Sequence, residues 1–393
     1  MIKKLEVDNF KTLNHFELEL TPMTVIVGNN ASGKSSILQV ISLLCSSAQE
    51  DYDAFLFRRN WNVSDLRSKC KNTGSKLALA TEFELDVAGV SKNLRWELVL
   101  QYQKSTLTLS HEKVVDLNCG RVLMEYTEKN TILHSATGED VIYPPLSIPS
   151  SAMKILIDVK KDRNNFPELV ALKSFLINVR SYELLTPEHM RMSSRGSEKN
   201  LSISGKNLPG FIKNMSAAQQ EDFLEKLKRL LGGQIESVST ETNGKPGWTF
   251  VNVEEKYGNH IYKISSRHLS DGMLRLLAFV GISASDNGCL IMLDEIENGI
   301  NSSYAEDLID IFKAMSQNEK QLILTTHSVV FLDFVDKDDI IYLYRSEEDG
   351  RTIAKKIFEL PELIERLEYM YPGEIIYNLD NQRLIDFCMQ KIK

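Results

Sequence analysis

The sequence is poor in cysteine, and none of its cysteines form a close pair. It has five in 393 residues, all far apart, whereas a zinc site or a redox motif needs two thiols within a few positions. We therefore expect buried thiols without a metal or redox role. They are Cys45, Cys70, Cys119, Cys289 and Cys388.

Long apolar runs and heptad repeats are also missing. No stretch approaches the roughly 20 apolar residues that a membrane helix needs, and no heptad pattern indicates a long coiled coil. The first ten residues, MIKKLEVDNF, lack the apolar core and the small-residue cleavage site of a secretory signal. We expect a cytoplasmic protein that makes no contact with a membrane.

Positive charge is in the minority, since the formal net charge is −8 at pH 7. The molecule as a whole therefore repels a phosphate backbone, and nucleic-acid binding would need a local basic patch. The segment 57–61, FRRNW, is such a candidate, with an aromatic ring for stacking. A solvated loop with one anchored tryptophan is the favoured alternative.

What the sequence does contain is a phosphate-loop motif in the right context. GNNASGKS matches G-x-x-x-x-G-K-[ST] between an apolar strand-like run, MTVIVG, and the helix-like SILQVISLLC. In such a loop the backbone N–H groups face the phosphates, Lys34 reaches the β and γ phosphates, and Ser35 offers its hydroxyl to Mg²⁺. The motif predicts an ATP and Mg²⁺ site at Gly28, Asn29, Asn30, Ala31, Ser32, Gly33, Lys34, Ser35 and Ser36.

Two acids and a histidine follow further predicted strands. LIML leads into Asp294 and Glu295, and LILTT leads into His327. The first acid can hold Mg²⁺, and the second can orient the attacking water. His327 is placed like a residue that contacts the γ phosphate at the carboxyl edge of an α/β sheet. Taken alone, two such acids are as often solvated residues at the edge of a sheet as functional residues, and such a histidine is usually structural. The upstream phosphate loop favours the functional interpretation.

The segment LSDGM predicts a turn that opens a helix. A helix start with Ser270, Asp271 and Gly272 can form a second anion site. Taken alone, Ser-Asp-Gly is simply a good helix cap. Its position between the phosphate loop and the two acids favours the anion site, and the segment resembles the signature motif of ABC ATPases.

Together, GNNASGKSS, LSDGMLRLLA, IMLDEIENGI and LTTHS resemble the ATP-binding heads of the RecF, SMC and overcoming-lysogenization-defect (OLD) group of ABC ATPases. The resemblance runs from Ile2 to about Arg345 and is greatest to stand-alone OLD-like proteins. Asp271 departs from the glycine usual in transporter signatures. The resemblance implies an α/β fold, an ABC-type P-loop NTPase head with a mixed core sheet, an antiparallel β lobe and an inserted helical subdomain.

The resemblance also implies how the site is completed. Ser270 and Gly272 of one subunit would close on the ATP held by Lys34 of another, so we expect a homodimer or a higher homo-oligomer. Glu295 would activate water, and residues 298–301 would cross between subunits. The basic residue at Lys11 would lie near the nucleotide. The glutamine that links the sheet lobe to the γ phosphate is not placed: Gln39 lies within the predicted helix, and Gln101 or Gln103 are the candidates.

The function implied is an ATPase that regulates a separate effector, a nuclease or toxin encoded nearby, in antiphage defence. The chain after His327 is too short for the Toprim nuclease domain of full-length OLD proteins, and we expect none. A RecF-like ATPase that binds DNA in repair or maintenance is the alternative.

Sequence patterns also divide the chain. Alternation predicts a hairpin over LEVDNFKTLNHFELEL and antiparallel strands between 76 and 149, whereas helical periodicity is clearest in AAQQEDFLEKLKRLLGG. The division predicted is 1–60, the first part of the ATPase core with the phosphate loop; 61–164, the β lobe; 165–235, the helical subdomain; 236–345, the second part of the core with the signature, acids and histidine; and 346–393, a tail packed on the core.

Overall fold

The structure is a computed structural model that describes residues 1–70, 74–136, 138–145, 147–196, 198–244, 247–285, 288–318, 320–379 and 381–389. The chain forms two compact units. The first unit consists of Met1–Pro22, Gly28–Val179 and Ile341–Lys355, and the second of Met23–Val27, Arg180–Ile340 and Lys356–Lys393. The five-part division of the sequence stays a prediction.

The elements alternate between strands and helices along much of the chain. The strands are β1 (Ile2–Asp8), β2 (Phe16–Glu19), β3 (Met23–Gly28), β4 (Lys76–Val87), β5 (Val90–Tyr102), β6 (Leu107–Asp116), β7 (Arg121–Tyr126), β8 (Thr131–Leu133), β9 (Val141–Tyr143), β10 (Val179–Tyr182), β11 (Ile235–Asn243), β12 (Trp248–Tyr257), β13 (His260–Ser265), β14 (Leu290–Leu293), β15 (Gln321–Thr326), β16 (Ile340–Arg345) and β17 (Thr352–Lys355). The α-helices are α1 (Lys34–Ser46), α2 (Tyr52–Arg59), α3 (Val63–Leu66), α4 (Ala152–Leu156), α5 (Pro167–Ile177), α6 (Pro187–Arg191), α7 (Leu208–Lys213), α8 (Ala217–Leu230), α9 (Asp271–Ala284), α10 (Ala305–Gln317), α11 (Val329–Leu332), α12 (Pro361–Arg366), α13 (Pro372–Asn378) and α14 (Asn381–Met389).

The first unit is built on an antiparallel sheet with the strand order β2-β1-β4-β5-β6-β7-β8-β9. Successive side chains of a strand point to opposite faces, so β4 buries every second residue from Leu77 to Leu85. Helix α5 covers this buried face, and the rings of Phe83 and Phe175 meet edge to face with centroids 5.6 Å apart. The predicted hairpin is confirmed as β1 and β2, but β1 also pairs with β4, so the hairpin extends the antiparallel sheet.

The second unit contains a sheet in which β10, β14, β15 and β3 (to Val27) are neighbours in that order. Strands β14, β15 and β3 are parallel, with Leu293 opposite Leu324 and Thr326 opposite Val27. Every residue of these three strands is buried. A parallel sheet covered on both faces has this property, which explains why their sequences are continuous apolar runs without alternation.

Helices α8, α9 and α10 pack together in the second unit, where the rings of Phe279 and Phe312 lie 5.8 Å apart. The predicted helix at 217–233 is confirmed as α8. Ser216 caps it in a capping box with Gln219, and Gly232 follows the helix with a positive φ of 69°. Phe223, Leu227 and Leu230 form its buried face, whereas Leu224 and Leu231 are only half-buried.

The expectation of buried thiols is wrong for Cys119. It is exposed because it lies in the turn between β6 and β7, whereas Cys45 and Cys388 are buried. Across the described parts of the chain, no helix has both the length and the hydrophobicity needed to cross a membrane.

Glu112 on β6 is a fully buried carboxyl group in the first unit. Its Oε1 accepts hydrogen bonds from Trp96 Nε1 at 2.9 Å and from Ser151 Oγ at 2.6 Å, and its Oε2 accepts one from the N–H of Ala152 at 2.7 Å. Burial raises the pKa of Glu112 to about 7, although these donors oppose the shift. The carboxyl group thus fixes the start of α4 against the sheet.

We predict a pH-dependent contribution of Glu112 to stability. A carboxyl group whose pKa rises on folding stabilises the folded state fully below its unfolded pKa of about 4.5, and this stabilisation is lost as the pH rises through the folded pKa of about 7. The glutamine side chain in Glu112→Gln does not titrate. The difference between the free energy of unfolding of this variant and that of the wild type should therefore increase by up to about 3 kcal/mol between about pH 4.5 and 8. Urea unfolding measures this difference. Glu236→Gln, at an exposed position, is the control, and parallel pH curves for wild type and Glu112→Gln would contradict the assignment.

Candidate functional site

The phosphate loop connects the end of β3 to the start of α1 in the first unit. Both ends of the loop require glycine. A Cβ atom on Gly28 would lie 2.3 Å from the carbonyl oxygen of Leu343. Gly33 has a φ of 110°, and a Cβ there would lie 2.5 Å from Thr352 Oγ1. The glycines of the motif are therefore explained by the close approach of β16 and β17 and by the left-handed backbone.

Lys34 and Ser32 supply the polar groups inside the loop. Lys34 is 6% exposed, and its Nζ donates to the carbonyl oxygens of Gly28 at 2.9 Å and Asn29 at 3.0 Å. The Oγ of Ser32 is buried and has no hydrogen-bond partner among the described residues. The first turn of α1 contains no acidic residue. An ammonium group, an unpaired hydroxyl and a helix N-terminus together suit an oxyanion such as a phosphate.

Three residues far from the motif hold the loop, and the sequence analysis missed them. Thr352 Oγ1 donates to the carbonyl oxygen of Ser32 at 2.8 Å and lies 2.6 Å from Thr12 Oγ1. Arg345 Nη1 donates to the carbonyl oxygen of Ala31 at 3.2 Å. No local sequence pattern marks these residues, because each acts through a tertiary contact.

Lys11 contacts α1, the helix that follows the phosphate loop, in the same unit. Its Nζ donates to Gln39 Oε1 at 2.6 Å and lies 4.2 Å from the centroid of the Trp61 ring. Gln39 is therefore the glutamine that contacts Lys11, whereas the candidates Gln101 and Gln103 bond to Ser75 and Thr108 near the end of β5. A cleft of about 480 Å³ opens here, lined by Lys11, Thr12, Asp65, Arg67, Lys69, Cys70, Arg345, Asp349 and Gly350.

Segment 57–61 shows both an anchored and an exposed aromatic residue. The Trp61 ring packs edge to face on Phe55, with centroids 5.9 Å apart. Phe57 is 89% exposed. The anchored tryptophan of the favoured interpretation is thus present, and Phe57 is the ring left open to solvent.

In the second unit, Thr325 organises the two acids that follow β14. Asp294 is 8% exposed, and its Oδ1 accepts a hydrogen bond from Thr325 Oγ1 at 2.5 Å. The same hydroxyl accepts a hydrogen bond from the backbone N–H of Glu295 at 2.8 Å. Glu295 has a φ of 49°, a conformation that costs a non-glycine residue about 1–2 kcal/mol. Thr325 therefore holds Glu295 in a strained backbone conformation, and such strain often accompanies functional residues.

His327 follows β15 and is held by Glu297. Its backbone N–H donates to Glu297 Oε1 at 2.6 Å, and Thr326 Oγ1 donates to Glu297 Oε2 at 2.8 Å. The Nε2 atom of His327 lies 4.0 Å from Glu295 Oε1. The structure therefore brings together the predicted Glu295 and His327, and it adds Glu297 and Thr325, which the sequence analysis missed.

The predicted signature residues open helix α9. Ser270 is exposed and caps the helix, since its Oγ accepts the N–H of Met273 at 3.2 Å. Asp271 forms an ion pair with Arg191, which also donates to the carbonyl oxygen of Leu269 at 3.1 Å. A Cβ on Gly272 would lie 2.5 Å from the carbonyl oxygen of Gly299. The helix start thus packs against the segment 298–301.

Comparison with known proteins identifies the family to which the chain belongs. A family model described as an AAA ATPase domain matches residues 1–332. An ATP/GTP phosphatase of Helicobacter pylori is 22% identical over 407 residues, which cover 95% of this chain and 99% of that protein. An OLD nuclease of Thermus scotoductus is 48% identical over only 44 residues, 11% of this chain and 8% of that protein.

Among solved structures, an SMC head bound to the C-winged helix domain of ScpA is similar, with a TM-score of 0.58 and 18% identity over 90% of this chain and 97% of that one. The predicted α/β fold of a P-loop ATPase head is confirmed, and it is SMC head-like. Since the family model spans most of the chain, the protein belongs to the AAA ATPase domain family and is an ATPase.

Proposed function

We propose that the protein hydrolyses ATP at a site built from the phosphate loop, Asp294, Glu295 and His327. One observation supports this most directly. Strands β14, β15 and β3 are parallel, so their carboxyl ends lie at one edge of the sheet. The chain leads from these three ends into the two acids, the histidine and the loop that starts at Gly28. Ligands of α/β sheets bind at this edge.

The residue types suit each step of hydrolysis. Lys34 and the backbone N–H groups of residues 28–36 bind the phosphates. Ser35 and Asp294 offer the hydroxyl and carboxylate oxygens that Mg²⁺ prefers; the ion, when bound, neutralises phosphate charge. Glu295 accepts a proton from water as the water oxygen attacks the γ phosphorus. The bond from that phosphorus to the bridging oxygen breaks, and ADP and phosphate are released.

We further propose that a second copy completes the site. Ser270, Asp271, Asn298, Gly299 and Asn301 are all exposed. Exposed polar groups at a helix N-terminus suit the phosphates of an ATP held by another subunit. The resulting assembly would be a homodimer or a higher homo-oligomer.

In this proposal the ATPase is an OLD-like switch that regulates a separate nuclease or toxin in antiphage defence. The short match to an OLD nuclease supports the family relation. The similar SMC head is bound to a domain of a separate protein, which supports an output through a partner rather than through the ATPase chain itself.

A second candidate is a RecF-like ATPase that binds DNA. It is favoured by the cleft with Lys11, Arg67 and Lys69 and by the exposed ring of Phe57 nearby in sequence. A gel shift that requires ATP and weakens with added salt would support DNA binding. A salt-independent or ATP-independent shift would not.

We predict that Glu295→Gln retains ATP but hydrolyses it at least about 100-fold more slowly, because an amide cannot accept the proton of the attacking water. An ATP-bound assembly with a multiple of the subunit mass should therefore accumulate. Phosphate release and light scattering measure the two effects. Glu306→Gln, at an exposed position on α10, is the matched control. Hydrolysis by Glu295→Gln at the native rate would show that another residue activates the water.

We predict that the hydroxyl of Thr325 is needed for turnover. Thr325→Val leaves Asp294 without its donor and the N–H of Glu295 without its acceptor, which should lower kcat by roughly 10- to 100-fold. Thr325→Ser keeps the hydroxyl and should stay within a few-fold of the wild type. Steady-state kinetics compares the two, and equal rates for the Val and Ser variants would refute this role.

A further inference from the structure

Arg275 is a buried cation in the otherwise apolar middle of α9. It lies on the helix that Ser270 caps and is 3% exposed. The sequence around it, DGMLRLLAFVGISA, offers no partner for the charge on its own helix beyond Asp271. Burying a guanidinium group is costly unless its donors are paired. The reason for its burial must therefore lie in contacts with other segments.

Two backbone carbonyl groups provide those contacts. Arg275 Nη1 donates to the carbonyl oxygen of Asn298, and Nη2 donates to the carbonyl oxygen of Leu185 at 3.1 Å. Its Nε has no hydrogen-bond partner among the described residues. Burial lowers the pKa of Arg275, and the carboxylates of Asp271, Glu295, Glu297 and Glu188 oppose this shift. The planar fork of an arginine suits two carbonyl groups, which a lysine ammonium cannot bridge in the same way.

A steric contact also joins the start of α9 to the segment 298–301. A Cβ on Gly272 would lie 2.5 Å from the carbonyl oxygen of Gly299, and Gly299 itself has a φ of 69°. The connection continues to the acid, because Asn298 Nδ2 donates to Glu295 Oε2 at 3.4 Å. Helix start, segment 298–301 and Glu295 are therefore linked by consecutive contacts.

We infer that Arg275 is a positioning residue that fixes segment 298–301 to the start of α9, so that Ser270 and Glu295 move as one block. The inference rests on the proposed composite site. There, Ser270 acts on the ATP of the neighbouring copy and Glu295 on the ATP of its own copy. Arg275 thus connects the two ATP sites of a pair without touching either nucleotide.

The test compares Arg275→Lys with the wild type in the full-length protein. Arg275→Lys should lower kcat about tenfold. The Kd for a fluorescent ATP analogue should change by less than roughly twofold, because the residues of the phosphate loop are unchanged. If Arg275→Lys only reduced the amount of folded protein, the active fraction and the melting temperature would fall. The kcat of the folded protein would then not fall while Kd stays unchanged. Arg229→Lys, an exposed arginine that pairs with Asp307 and Asp310, is the control and should behave as the wild type.

A double-mutant cycle tests the proposed route. Gly299→Ala strains the segment 298–301, so it should lower kcat with the same unchanged Kd. If Arg275 acts through that segment, Arg275→Lys with Gly299→Ala should fall no further than the slower single variant. If the kcat losses of the two single variants multiply in the double variant, the inference is overturned. A native kcat in Arg275→Lys would also overturn it. Should Arg275→Lys not fold, a native kcat in Gly299→Ala alone would overturn it.

The composite site has a separate control. If the wild-type rate per subunit is the same in dilute monomer and in the assembled protein, the composite site itself is wrong. If the wild type requires assembly and Arg275→Lys keeps its native kcat, only the role of Arg275 is wrong.

Discussion

The parallel register of β14, β15 and β3 is the constraint on which the proposed site depends. Parallel strands end at the same edge of a sheet, so the pairing of Leu293 with Leu324 and of Thr326 with Val27 aligns the points where three functional segments begin. These strands are buried along their whole length. Because both faces of these strands are buried, a shift of one residue would move every side chain into the packing of the opposite face, so close packing stabilises the same register that the chemistry requires.

Polar contacts then convert this register into a defined arrangement of side chains. The hydroxyl of Thr325 links Asp294 and Glu295, and the carboxylate of Glu297 fixes the backbone of His327. The bond from Thr325 to Asp294 is buried, and a buried polar group is costly to leave unpaired, so this contact resists local rearrangement. The strain at Glu295 persists because its surroundings determine its position.

The sequence predicts those structural features that a local pattern of residues encodes. Alternation predicted the hairpin of β1 and β2, apolar runs predicted β3, β14 and β15, and the phosphate motif was recognisable because its strand and helix flank it directly. Long-range contacts were not predictable in this way. The pairing of β1 with β4, the contact of Thr352 with the phosphate loop and the burial of Arg275 all join residues that are remote in sequence. The roles of the individual site residues stay predictions.

The central claim is that the ATP bound at Lys34 is hydrolysed only when Ser270 is supplied by another copy. Mixing two inactive variants, Lys34→Ala and Ser270→Arg, tests it most directly. In mixed pairs, the intact phosphate loop of one subunit meets the intact Ser270 of the other, so random pairing should restore about a quarter of the native phosphate-release rate. A mixture no more active than its separate components, or a Ser270→Arg protein as active as the wild type, would contradict the account.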